Sequence, residues 1–310
     1  MRLFVYTGLD DASRRELLDG LPTDVTPVFR NDLPEADWPA AFRSAELLLG
    51  NPPADWFADP PARLTYWQLD SAGFDAYRAV RVRATVCNMG DYFAWPCAET
   101  IVAGIMALYR HIDELVVLQQ ESRWAGSSVR KRLRLLRGQR VIILGAGTIG
   151  QAVRQILTGF GCRLQLMARS HPDATLRSTD DLLRALPETD LVVSCLPGSA
   201  SGFFTAGLIE AMQQGSVFAN VGRGSTVDEP ALIDALQRGQ LGGAVLDVTA
   251  TEPLPADSPL WTLPNVLLTQ HTAGGQPNED SGKAALFLRN LHRLRRGETP
   301  DNPIDLARGY

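Results

Sequence analysis

The chain reads as an α/β protein built from two doubly wound parallel-sheet domains. Three observations predict this class. From Gln139 onward, short apolar runs alternate with helical patterns in a steady strand–helix rhythm. Those runs, among them RVIIL, DLVVSC and SVFANV, are continuous rather than alternating, as strands covered on both faces are. A looser version of the same rhythm fills the N-terminal segment.

Taken in order, RLFVYT (2–7) is a strand, and DDASRRELLDG is a helix with an acidic first turn and a glycine stop. AELLLG, RLTYWQL and ATVCN are further buried strands, separated by Pro-rich loops such as NPPADWFADPPA. Pro96 precedes CAETIVAGIMALYRHIDELVVLQQE, the longest helical pattern. It is apolar around most of its circumference, which predicts a buried helix in the core or a subunit interface. Then RVIILG, RLQLMA, DLVVSCLP, SVFANVG, GGAVLDV and NVLLTQ read as strands. TIGQAVRQILTGF, STDDLLRAL and DEPALIDALQRG read as helices, and a final helix over roughly 277–296 leads to the tail DLARGY. The expected organisation is a first domain over 1–96, a second over 97–284, and a segment 285–310 that returns to the first.

The 310 residues are 45% apolar and 21% charged, ordinary for a globular protein. A formal charge of −5 gives no general attraction to nucleic acid or anionic membrane. The N-terminus meets acid by Asp10 and lacks a signal peptide's apolar run, and no 18-residue apolar stretch exists. Cys87, Cys97, Cys162 and Cys195 form no close pair, so reduced thiols, a cytoplasmic location and no bound metal are expected. Arg130, Lys131, Arg132, Arg134, Arg137 and Arg140 form a basic stretch without interleaved aromatics. It reads as a solvated surface segment rather than a nucleic-acid patch.

Gly145, Gly147 and Gly150 form G-x-G-x-x-G directly after an apolar strand and directly before a helix. The first glycine permits the tight turn, the second lets a pyrophosphate approach, and the third lets helix and strand pack closely. Unpaired N–H groups at the helix start would face the phosphates. The next strand usually ends, about 20 residues on, in an acidic residue that binds the ribose 2′-OH of NAD. Here it ends in Ala168, Arg169, Ser170 and His171. A guanidinium and a hydroxyl there suit a 2′-phosphate, which predicts NADP, NADPH preferred, with NAD possible.

Three polar residues follow at successive strand ends: Arg223 in NVGRGSTVDE, Glu252 in LDVTATEPLPADSPLW and His271 in LLTQHTAGG. Reducing a 2-keto acid needs a cation to hold the carboxylate and polarise the carbonyl, an acid for the new alkoxide, and a group to orient that acid. Arg223, His271 and Glu252 suit these tasks in that order.

The segments GAGTIG, NVGRGSTVDEPALIDAL, LDVTATEPLPADSPLW and QHTAG, with SAGFD at 71–75 and ESRWAG at 121–126, carry a resemblance over essentially the whole chain. On them the chain resembles the D-isomer-specific 2-hydroxyacid dehydrogenase family. The ARS after the second strand and the ARGY terminus are similar to bacterial NADPH-preferring glyoxylate/hydroxypyruvate reductases. The resemblance implies a homodimer whose subunit has two Rossmann-like domains, one for substrate (1–96) and one for dinucleotide (97–284), with the active site in the cleft. It implies Arg223, Glu252 and His271 as the catalytic trio. Backbone amides of Ala72 and Gly73 would hold the substrate carboxylate, and Trp124 would line the cleft or else pack in a core or interface. Cofactor contacts would come from Gly145, Gly147, Thr148, Ile149, Gly150, Arg169, Ser170, Cys195, Leu196, Pro197, Val221, Gly222 and Asp247. The implied reaction takes glyoxylate or hydroxypyruvate to the D-2-hydroxy acid. Another 2-hydroxy acid, or a non-catalytic cofactor-sensing protein on the same fold, remains open at this point. The chain departs from the family pattern at Gln270, where proline is common, at Gly222, and in the short loop GSASGFF after Pro197.

Overall fold

In the computed structural model, which describes residues 1–308, strand β1 (Arg2–Val5) sends Leu3 and Val5 to one face and Phe4 to the other. The same alternation runs through β3 (Leu47–Leu49), β4 (Tyr66–Gln68) and β5 (Thr85–Cys87). Leu47, Leu49, Tyr66 and Cys87 join Leu3 and Val5 beneath α1 (Asp11–Gly20) and the C-terminal helix Glu279–Arg295. Leu48, Trp67 and Val86 join Phe4 in an aromatic core with Phe42 and Phe57 on the opposite face. With β2 (Thr26–Phe29) at one edge, the sheet is wholly parallel, in the order β2-β1-β3-β4-β5.

Strand β2 (Thr26–Phe29) and helix α2 (Trp38–Arg43) carry no clear signal in the sequence. Pro27 lies inside β2, and a proline fits a strand only where no neighbour needs its missing N–H. Its position at the sheet edge meets that condition.

This unit comprises Met1–Tyr92 and the stretch from Gln276 onward, and the other comprises Phe93–Gly275. The division falls before the helix Ala94–Tyr109 and before the C-terminal helix, rather than at 96/97 and 284/285. The C-terminal helix packs against α1, and the whole of it belongs to this unit. Asn290 of that helix donates to the buried Gln68 Oε1 (3.0 Å), and Pro303 bridges Cys87 at the sheet edge. The last two residues of the ARGY terminus lie outside the described residues.

In the second unit, α3 (Ala94–Tyr109) and α6 (Thr148–Gly159) cover one sheet face over Val141, Ile143, Val193, Ala219 and Val245. Helices α7 (Thr179–Ala185), α8 (Ala206–Glu210) and α9 (Glu229–Gln237) cover the other over Ile142, Leu144, Val192, Phe218 and Leu246. Strands β6 (Arg140–Leu144), β7 (Arg163–Met167), β8 (Leu191–Ser194), β9 (Val217–Asn220), β10 (Gly243–Leu246) and β11 (Val266–Leu268) are all parallel. Their order, β11-β10-β9-β8-β6-β7, reverses between β6 and β8. Ligands bind at such a reversal, beyond the strands' carboxyl ends.

Two expectations need correction here. The long helical pattern after Pro96 is not one buried helix. It breaks at His111, whose φ is 50°, into the buried α3 and a separate α4 (Ile112–Gln120). Helix α4 leaves Ile112, Leu115, Val116 and Val117 exposed, and the short α5 (Gly126–Arg130) follows it. The basic stretch is not simply solvated either. Arg132 Nη2 donates to both carboxylate oxygens of Glu114, at 2.6 and 2.7 Å, and Arg134 lies over the Tyr109 ring and donates to the Gly215 carbonyl at 2.9 Å. Arg140 binds Asp190 (3.1 Å); burial pushes that carboxyl up, but the guanidinium and a backbone N–H outweigh it and hold it below its ordinary value. No helix of the described residues is long and apolar enough to cross a membrane.

Candidate active site

The glycine turn begins where β6 ends. Gly145 has φ +99°, a conformation L side chains rarely adopt, and an added Cβ would lie 2.9 Å from the Cys195 carbonyl. At Gly150 a Cβ would lie 2.1 Å from the Gly145 carbonyl, so only glycine lets α6 pack this close. Nothing lies within 4 Å of a Cβ built on Gly147. That open face borders the start of α6, where the N–H groups at Thr148 and Ile149 have no intrahelical partner. The turn therefore fits a diphosphate. Behind it, the loops after β8 and β9 touch backbone to backbone. A Cβ on Gly222 would lie 2.3 Å from the Leu196 carbonyl, and Val221 donates to Ser194 at 3.0 Å. Glycine at 222, a departure from the family pattern, thus has a steric cause. Cys195, Leu196, Pro197, Val221 and Gly222 sit at these strand ends. Burial pushes the Cys195 thiol up to about 12 and the Cys97 thiol up to about 11, so both are neutral at physiological pH. At the outer edge, β7 gives way to Ala168 and the exposed Arg169 and Ser170, with no carboxylate among them.

Arg223 follows β9. Buried Asn220 shapes its loop: Oδ1 accepts from Gly222 N (3.0 Å) and Nδ2 donates to the Arg223 carbonyl (3.1 Å). Thr226 Oγ1 donates to the same carbonyl at 2.6 Å. The next residue, Gly224, presses on the loop after β10, for a Cβ there would lie 1.9 Å from the Thr249 carbonyl. That second loop carries Glu252. Its Oε1 accepts from Thr249 N at 3.0 Å, and its Oε2 lies 2.5 Å from His271 Nδ1. The loops bearing the three polar residues are thus linked in series.

His271 is held by Asp247, which is only 5% exposed. Asp247 Oδ1 accepts from Thr269 Oγ1 (2.6 Å), Thr272 N (3.1 Å) and Ala273 N (3.1 Å), and its carbonyl accepts from His271 N (2.6 Å). Gln270 and His271 both lie in the left-handed region, at φ 53° and 56°. This arrangement is invisible in the sequence, where Asp247 reads as a cofactor contact. An aspartate at a strand end that grips a loop more than twenty residues further along the chain leaves no local signature.

In the other unit, Ser71 Oγ donates to the Gly73 carbonyl (2.6 Å) and Asn88 Nδ2 to the Ala72 carbonyl (2.6 Å). The turn is fixed through its carbonyls. Its Ala72 and Gly73 N–H groups donate to no acceptor among the described residues. Ser71, Asn88 and the Asn51 that binds Ser71 (2.9 Å) are positioning residues that the sequence does not reveal.

Residues 102–273 match the family model described as D-isomer specific 2-hydroxyacid dehydrogenase, NAD binding domain. The match spans more than half of the chain and includes the glycine turn, Arg223, Glu252 and His271. The chain belongs to the D-isomer specific 2-hydroxyacid dehydrogenase family. It is an NAD(P)-dependent oxidoreductase of that kind. Among its relatives, the glyoxylate/hydroxypyruvate reductase A of Enterobacter sp. (strain 638) is 33% identical over 219 residues, 68% of each chain. A crystal structure of a family protein from Aeromonas salmonicida superposes with a TM-score of 0.84 at 27% identity, covering 98% of this chain and 99% of that one. The family member from Xanthobacter autotrophicus Py2, solved with NADPH and MES, gives a TM-score of 0.79 at 27% identity and covers 100% and 99%.

Against that family pattern, the proline common before the histidine could not occupy position 270 of this dehydrogenase, because its ring fixes φ near −65°. Trp124 packs in no core: it is fully exposed, at 101% of its reference area. Among the described residues, no group of three or more His, Cys, Asp or Glu side chains could hold a metal ion.

Proposed function

We propose that this dehydrogenase reduces small 2-keto acids, glyoxylate and hydroxypyruvate, to 2-hydroxy acids with NADPH, giving the D product where a stereocentre forms. The observation that carries the reading is the 2.5 Å contact between His271 Nδ1 and Glu252 Oε2. A cofactor-sensing protein has no use for a proton donor paired in this way. The relative from Enterobacter is named for both substrates, and the Xanthobacter neighbour holds NADPH.

Bound at the glycine turn, the dihydronicotinamide would supply the hydride to the keto carbon. Each remaining task falls to the chain. In the nucleotide unit the Arg223 guanidinium holds the substrate carboxylate and draws electron density from the carbonyl; in the other unit, the Ala72 and Gly73 N–H groups are donors of the kind a carboxylate accepts. Glu252 fixes the imidazole through Nδ1, so Nε2 presents its proton to the carbonyl oxygen as the alkoxide forms. Asp247 keeps the loop of His271 in place. Thr148, Ile149 and the glycines cradle the diphosphate, Cys195, Leu196, Pro197, Val221 and Gly222 floor the site, and Arg169 with Ser170 reads the 2′-phosphate. The exposed strip of Ile112, Leu115, Val116, Val117 and Trp124 is the seam of a homodimer, and the free thiols suit a reducing cytoplasm.

The test is cofactor oxidation with a panel of 2-keto acids, each run with NADPH and NADH. Turnover of glyoxylate and hydroxypyruvate, at least about tenfold better in kcat/KM with NADPH, is the expected result. Cofactor binding without turnover of any small 2-keto acid would overturn the proposal.

A further inference from the structure

Two arginines, not one, stand at the outer edge of the nucleotide unit. Beyond β7 the chain turns at 168–173 and comes back alongside itself. Leu176 pairs in parallel with Met167, Ala168 N donates to the Leu176 carbonyl (3.1 Å), and Leu176 N donates to the Leu166 carbonyl (3.1 Å). Two segments that run side by side in one direction finish at the same end of the sheet, here that of the strands' carboxyl ends. Arg169 follows the first and Arg177 follows the second. The guanidinium of Arg177 arches back over the loop, with Nη1 donating to the Arg169 carbonyl at 3.5 Å and Nη2 to the Pro172 carbonyl at 3.4 Å. Both arginines are exposed.

The backbone of Arg177 is anchored. Asp181 Oδ2 accepts from Arg177 N (3.0 Å) and from Ser178 N (3.1 Å), closing the capping box of α7. The nearby carboxylates are committed elsewhere. Asp173 pairs with Arg154 at 2.6 Å, and Asp181 holds those amides and Arg184 at 2.5 Å. Neither Arg169 nor Arg177 forms an ion pair among the described residues. A phosphate monoester carries about −1.5 to −2 charge at pH 7, more than one guanidinium neutralises.

We propose that Arg177 is a second specificity-determining residue for the cofactor, closing with Arg169 on the 2′-phosphate as a two-arginine clamp. Its two bonds to carbonyls are long and exchange readily for charge-assisted bonds to phosphate oxygens. The proposal rests on the NADPH preference above and names the residue that completes it.

The experiment measures equilibrium binding, by calorimetry, of 2′-phospho-ADP-ribose and ADP-ribose to the full chain, which removes the nicotinamide and any turnover. Arg177→Ala should weaken 2′-phospho-ADP-ribose on the order of tenfold or more and leave ADP-ribose unchanged. Arg177→Gln keeps an N–H donor for the loop carbonyls but lacks the charge, and should show the same selective loss even if the alanine variant folds poorly. Arg177→Lys should recover part of the loss. If the parent protein binds both ligands equally, the NADPH reading itself fails. If the parent prefers the phosphorylated ligand and Arg177→Gln keeps that preference, or loses both ligands alike, the NADPH reading stands and the role of Arg177 is overturned.

Discussion

The backbone N–H of His271 donates to the carbonyl of Asp247 at 2.6 Å, while the Asp247 carboxylate holds the residues on either side of that histidine. One buried aspartate thus fixes a loop whose two central residues, Gln270 and His271, occupy the left-handed region. Such strain persists only where surroundings over-determine it. Asp247→Ala would leave a hydroxyl and two amide donors without their acceptor. It should destabilise the protein by on the order of 3 kcal/mol and lower kcat as well. Asp247→Asn keeps an acceptor oxygen and should retain most of the stability. Thermal melts of both variants check this, and an alanine variant with a native Tm and kcat would show that Asp247 does not hold the loop.

Gln270 supplies a second probe of the same loop. Proline cannot reach φ 53°, so Gln270→Pro should cost roughly 1–3 kcal/mol or force the loop onto another path. Gln270→Gly should be neutral or slightly stabilising, because glycine enters this region without penalty. Equal Tm values for the two variants would contradict the loop geometry.

The contact of His271 with Glu252 bears on chemistry rather than stability. His271→Ala should lose roughly 10²–10⁴ in kcat, the usual share of general acid catalysis, with cofactor binding intact. Reduction uses the protonated ring and oxidation the neutral ring. Glu252→Gln should lower kcat in both directions and leave cofactor affinity unchanged, as Glu252 lies against the imidazole and not the glycine turn. A Glu252→Gln enzyme with parental kcat would refute the pairing.

Arg223 is expected to act on both bound substrate and transition state. Arg223→Lys keeps the charge but loses the two-pronged geometry, so KM should rise and kcat should fall together. Steady-state kinetics with glyoxylate separate the two effects. A lysine variant with parental values of both would remove Arg223 from the mechanism.

Much of this was legible in the sequence, for reasons tied to particular residues. Parallel strands buried on both faces, such as Val141–Leu144 and Leu191–Val193, announce themselves as unbroken apolar runs. Gly145 and Gly150 are fixed by backbone contacts so close that no other residue fits, and Arg223, Glu252 and His271 each follow such a strand. What escaped is what sequence does not encode locally. Strand β2 hides behind Pro27, tolerable only at an edge that topology decides. The break at His111 falls within a run of good helix formers, and only its left-handed φ reveals it. The grip of Asp247 on the 269–273 loop joins positions distant along the chain, and so does the return of Arg177 to the carbonyl of Arg169.

The central claim is that this chain moves a hydride to a 2-keto carbon while His271 delivers the proton. It is tested most directly by turnover of hydroxypyruvate with NADPH carrying deuterium at C4 of the nicotinamide, followed by analysis of the glycerate formed. Enzyme with the native trio should give D-glycerate with deuterium at C2 from the transferred face, and His271→Ala should give the same labelled product far more slowly. Glycerate without deuterium at C2 from either labelled face, or no glycerate at all from a protein that binds NADPH, would contradict it.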